Sequence, residues 1–120
     1  MRIPKPRADT VARFDAAVPG ADGVERRLMF GQPAAFLRGN MFMGLFGEDM
    51  ILRLPPDARE EMAGLGGGPF EPMGRPMKEY VTVPAAVRED PAALAAWIDR
   101  SLALVAELPP RLPAPKRPRG

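Results

Sequence analysis

Histidine and cysteine are both missing from this chain of 120 residues. Without cysteine there is no disulfide and no thiolate nucleophile. Without histidine, the side chain best suited to proton transfer near neutral pH is absent. Lacking both, the chain is not expected to build a zinc site, and its acids show no calcium-loop spacing, so no metal and no cofactor is expected. Hydroxyls are almost as scarce. Ser101 is the only serine and falls on an apolar helical stripe, where a small residue allowing close packing is the simpler role; Thr10 and Thr82 suit a helix cap and a strand. No apolar run approaches the roughly 18 residues that would suggest a membrane span, and no signal-peptide pattern opens the chain. The expected location is cytoplasmic, with no membrane partner, and an enzyme is not expected.

Glycine and proline, by contrast, are plentiful, at 12 and 16. Three glycines run together at 66–68, which invites comparison with a phosphate loop. That motif needs Gly-Lys-Ser or Gly-Lys-Thr opening a helix. Here Pro69 and Phe70 follow, and proline removes an amide donor.

Charge is informative once divided. The whole chain carries +2. Arg2, Lys5 and Arg7 lie at one end and Arg111, Lys116, Arg117 and Arg119 at the other; with those seven set aside, ten of the 17 basic residues face all 15 acids, and the body carries −5. A basic tail is a common footprint of nucleic-acid contact, but an acidic body is not. Arg111, Lys116, Arg117 and Arg119 are therefore the candidate nucleic-acid residues, binding weakly and without sequence preference.

Periodicity predicts the elements. Asp9 or Thr10 caps a first helix bearing Val11, Phe14 and Val18 on one face, stopped by Pro19-Gly20. From Val24 to Leu54 the period changes to two. "VERRLMF" sets Val24, Arg26, Leu28 and Phe30 on one side, Gly39-Asn40 joins "AAFLR" to "MFMGLF", and "MILRL" follows a turn at 47–49: four strands in an antiparallel meander. Pro55-Pro56-Asp57 opens a second helix with Ala58, Met62 and Leu65 inward. "EYVTV" is a further strand. Asp90 caps the last helix, Pro91 is its first residue, and Leu94, Trp97, Ile98, Ser101, Val105 and Leu108 form its stripe. The fold class is α+β, an antiparallel sheet of about five strands with helices on one face, ordered α-β-β-β-β-α-β-α. Residues 1–8 are expected to form a flexible N-terminus, 9–108 the domain and 109–120 a basic, proline-rich, disordered tail.

Two features are candidates for binding. Met41 and Met43 share a face with Leu45, and methionine either fills gaps in a core or makes an adaptable surface. In the loop "PFEPMGRPMKEY", Phe70, Met73 and Met77 are too apolar to stand in water together, so some fold back onto the sheet edge or a helix. Arg75 and Lys78, beside Tyr80, either pair with Glu71 and Glu79 or meet an acidic partner. Phe70, Arg75, Lys78 and Tyr80 are the candidate binding residues.

"LMFG" at 28–31, "GNMF" at 39–42, "ILRLP" at 51–55, "PFEPMGRPMKEYVTVP" at 69–84 and the helix bearing Leu94, Trp97, Ser101 and Leu102 together resemble the N-terminal domain of the TfoX/Sxy family, from about Asp9 to Val105. Members of that family are bacterial regulators of natural competence. The resemblance implies an α+β fold also seen in secretion chaperones, and no catalytic residues. Such regulators usually add a second, helical domain where this sequence has its basic tail. The expected function is a small regulatory or adaptor module acting by contact with a protein partner, linked to competence or transcription regulation. The alternative is nucleic-acid association through the tails. A homodimer, through an open sheet edge or the methionine face, is also expected.

Overall fold

Turn chemistry lays out the sheet. In the computed structural model, which describes residues 5–111 apart from the side chain of Met73, α1 (Ala8–Ala17) leads into β1 (Val24–Met29), β2 (Gln32–Leu37), β3 (Asn40–Phe46) and β4 (Asp49–Arg53). Two-residue hairpin turns want positive φ at both central positions. Phe30 and Gly31 supply it between β1 and β2, at 55° and 74°, and Arg38 and Gly39 between β2 and β3, at 48° and 84°. The second turn is thus one residue earlier than the expected Gly39-Asn40, and Asn40 opens β3.

Beyond β4 come α2 (Pro56–Gly64), β5 (Gly68–Pro69), a single 3-10 turn (Pro72–Gly74), β6 (Tyr80–Thr82), α3 (Ala85–Arg88) and α4 (Pro91–Ala106). The sheet has six strands in the order β1-β2-β3-β4-β6-β5, every pair antiparallel. The α+β class and the helices packed on the sheet match expectation; β5 and α3, both very short, add to the expected order.

The triple glycine serves close packing. A Cβ at Gly67 would stand 2.6 Å from Met62 Cγ and 2.7 Å from the Thr82 carbonyl oxygen, so only glycine lets the chain pass between α2 and β6. Pro69 then sits on the outermost strand, where its missing N–H breaks no ladder.

The principal core lies between the sheet and the helices: Phe14 of α1, Ala58 and Met62 of α2, Val87 of α3, and Leu94, Ile98 and Val105 of α4 meet Ala35, Leu37, Phe42, Met43, Leu45, Met50, Leu52 and Val81. Burying each α4 anchor contributes roughly 1.5–3 kcal/mol before entropy is subtracted. Asp90 Oδ1 accepts from the Ala92 and Ala93 amides, each at 3.2 Å, and Pro91 follows it as expected. Trp97 is only half-buried, with the Arg100 guanidinium 4.6 Å above its ring, so it lies at the edge of the helix–sheet contact. Leu65 is exposed, because α2 ends at Gly64 before its stripe can return to the core.

A β-bulge decides the sides of β3. Ala35 faces Met43 while Phe36 faces Met41, leaving Phe42 as an extra residue. Alternation is broken there, so Met43 and Leu45 join the helix side and Met41 the opposite side. The expected common face of Met41, Met43 and Leu45 does not form. Met41, Met43 and Met50 are all buried, which leaves no methionine surface on these strands.

Candidate interaction surface

The loop between β5 and β6 covers the sheet face opposite the helices. Phe70, 4% exposed, packs with Ala34, Met41 and Ile51, and Phe36, Phe46, Met77 and Tyr80 close the cluster. The Phe46 ring meets that of Phe70 edge-on at 5.5 Å and that of Phe30 at 5.9 Å. Phe30 therefore belongs to this side, away from Val24, because it sits in the turn beyond the alternating strand. The loop closes on itself through Met77 N–H donating to the Phe70 carbonyl at 2.9 Å and Tyr80 N–H to Met77 at 3.0 Å. Phe70 and Met77 fold onto the sheet face, rather than onto its edge or a helix.

Phe70 thus holds the loop down and cannot itself touch a partner. Tyr80 is half-buried. Its hydroxyl donates to the Met41 carbonyl at 2.9 Å, and burial pushes its pKa up, against a smaller lowering by Arg53. Across from it, Arg53 pairs with Glu79 at 2.9 Å and lies 5.9 Å from the Tyr80 ring. Glu79 is consequently taken by Arg53. Arg75 and Lys78 are exposed, and among the described residues neither enters an ion pair. The Arg59 guanidinium of α2 donates to the Lys78 carbonyl, which fixes a third cation beside them.

Every hydroxyl and amide side chain makes at least one hydrogen bond within the chain, although Gln32 Nε2 is buried with no partner among the described residues. Ser101 Oγ, fully buried, donates to the Phe42 carbonyl at 2.6 Å. With Tyr80 on the other face, it satisfies consecutive carbonyls at the bulge of β3. Gln32 Oε1 accepts from the Gly47 amide, Asn40 Nδ2 donates to the Pro109 carbonyl, and Thr82 Oγ1 accepts from the Gly68 amide. Thr10 does not cap α1; its hydroxyl donates to Glu48 at 2.6 Å, and the Arg7 amide donates to the same carboxylate at 2.7 Å. Glu48, from the β3–β4 turn, thus ties down the start of the helix, and these two bonds hold its pKa below the ordinary glutamate value.

Between α1, that turn and the α3–α4 corner runs a groove of about 800 Å³, with Leu45, Met50 and Leu94 in its floor and Arg7, Asp9, Arg13, Glu48, Arg88 and Glu89 around it. Its lining comes from three separate stretches of chain, a juxtaposition with no local sequence signal. Its charges are mixed in sign, and the one carboxylate shifted there is shifted away from neutrality. Among the described residues no group of three or more acids is placed to hold a metal, and no helix is long and apolar enough to cross a membrane.

The C-terminal cations divide. Arg111 is exposed, but its amide donates to the Arg38 carbonyl at 2.8 Å, and the Arg38 guanidinium donates to the Ala106 carbonyl at 2.7 Å. The chain is thereby clamped against the β2–β3 turn as far as Arg111, so close that a Cβ at Gly39 would overlap the Arg111 carbonyl. Lys116, Arg117 and Arg119 lie outside the described residues, as do residues 1–4 of the expected flexible N-terminus. The profile of the TfoX N-terminal domain matches residues 16–104. No curated protein matches the chain.

Proposed function

The chain belongs to the TfoX N-terminal domain family, and from that premise we propose that it is a non-catalytic regulatory or adaptor module that binds an acidic segment of a protein partner at the loop between β5 and β6. One observation carries the reading: Arg75 and Lys78 stand exposed and outside any ion pair among the described residues, on a loop pinned by Phe70, while the nearby Glu79 is held by Arg53. A loop already ordered spends little conformational entropy on binding. Two cations against a body of net negative charge also give the contact a defined place and sign. The supply of hydroxyl and amide side chains to internal hydrogen bonds supports the non-catalytic part.

The test is affinity capture from the native cell after nuclease treatment, comparing the parent with an Arg75→Ala, Lys78→Ala double variant. A protein held by the parent and released by the double variant, at unchanged melting temperature, supports the reading. Undiminished capture refutes it for this loop. Capture that nuclease abolishes in the parent directs attention instead to Arg111, Lys116, Arg117 and Arg119 and to phosphate contacts that weaken steeply with salt.

A further inference from the structure

The two edges of the sheet are unlike. β5 is two residues long and ends in Pro69, a poor template for another strand. β1 runs for six residues, Val24 to Met29, with four of them exposed and, among the described residues, nothing paired on its outer side. It also carries Leu28, 63% exposed, and leads into Phe30. We propose that β1 pairs antiparallel with β1 of a second copy of this chain about a two-fold axis at Arg26, joining the two sheets into one.

Backbone geometry makes the edge available. Met29 and Gln32 flank the two-residue turn and face each other, so they exchange both ladder hydrogen bonds. Alternation makes Arg27 with Ala34 and Glu25 with Phe36 the next bonded pairs. The N–H and C=O groups of Arg26 and Leu28, and the C=O of Val24, therefore point outward; the Val24 amide itself donates to the Ala21 carbonyl at 3.2 Å. With Arg26 on the axis, Arg26 exchanges both bonds with its symmetry mate, and each Leu28 amide meets a Val24 carbonyl.

Side chains select that register. Val24 and Arg26 lie on the helix side, shown by the packing of Val24 into the main core and the 2.9 Å pair of Arg26 with Asp15; Leu28 follows by alternation. Glu25 and Arg27 share the other side and pair with each other along the strand at 3.3 Å, with the Arg27 guanidinium over the Phe36 ring, so a two-fold at Arg26 brings two such pairs together as one alternating cluster of four charges. About Arg26, each Glu25 faces an Arg27 and each exposed Leu28 faces a Val24, while each Arg26 is neutralised by its own Asp15. Shifting the axis by one residue in either direction sets Arg27 against Arg27 or Glu25 against Glu25. Opposite charges directly across a strand pair stabilise it and like charges destabilise it.

Sedimentation velocity on the full chain, over roughly 5 to 500 μM, reads the self-association of a small interface. The parent should dimerise with rising concentration. Glu25→Arg alone and Arg27→Glu alone should each weaken dimerisation by roughly tenfold or more, since each sets like charges across both symmetric positions. Mixing the two single variants should restore it, because each arginine at position 25 or 27 then faces a glutamate in the other chain. Circular dichroism checks that both variants fold, and if Arg27→Glu fails to fold, Arg27→Asp takes its place in the mixture. A parent that stays monomeric throughout overturns the proposal. So do folded single variants that dimerise like the parent, or a mixture that associates no better than its components.

Discussion

Replacing Ser101 with alanine removes a single buried oxygen. Its Oγ donates to the Phe42 carbonyl at 2.6 Å in a site with no solvent exposure. That carbonyl lies at the bulge of β3, where the ladder with β2 is interrupted. A buried acceptor left without a partner costs about 1–3 kcal/mol. Alanine recovers up to about 0.5 kcal/mol through its better helix propensity in α4. The expected net loss is therefore about 1–2 kcal/mol, equivalent to a fall of roughly 4–16 °C in melting temperature for a domain of this size. Urea unfolding should show a lower midpoint with an unchanged slope, the mark of lost stability without a change in the surface exposed. Tyr80→Phe is the companion variant, since its hydroxyl reaches the neighbouring Met41 carbonyl from the opposite face at 2.9 Å. Losses from the two should not add, because both supports act on one bulge. A Ser101→Ala protein within about 0.3 kcal/mol of the parent would refute the claim that the serine hydroxyl supports the bulge.

Trp97→Ala should cost about 1–2 kcal/mol, below the range for a fully buried aromatic, because the ring is half-exposed under Arg100; a loss above about 3 kcal/mol in chemical denaturation would place it in the core. Phe70→Ala should cost about 3–5 kcal/mol, whereas Arg75→Ala with Lys78→Ala should stay within about 0.5 kcal/mol of the parent by thermal unfolding. If the cation pair proves the more destabilising change, these residues are structural. The lowered folded-state pKa of Glu48 gives stability that is complete above its unfolded value and lost as pH falls through the folded one. The melting-temperature difference between the parent and Glu48→Gln should accordingly shrink on acidification through and below the ordinary glutamate range, and a constant difference would exclude the linkage.

Local chemistry made much of this protein readable without coordinates. Asp90-Pro91 starts α4 because a carboxylate and an N–H-free first residue both suit a helix's unpaired amides, and the 3.6-residue spacing of Leu94, Ile98 and Val105 names its buried face. Alternation and glycine turns likewise mark the meander. Phe70 was legible as too large and apolar to leave in water. The pairing of Glu79 with Arg53 instead of with Arg75 or Lys78 was not legible, because several acids and bases lie equally near in sequence and only the register of β4 on β6 puts Arg53 opposite Tyr80. The bulge at Phe42 has no sequence signature, yet it reverses the side of Met41 and gives the lone serine and tyrosine their work. Glu48 reaches Arg7 and Thr10 across some forty residues of chain. Spacing along a strand or helix is set by backbone geometry and can be counted from sequence. Which strand slips by one residue, which loop covers the second face and which charge meets which partner depend on distances that exist only after the whole chain has packed.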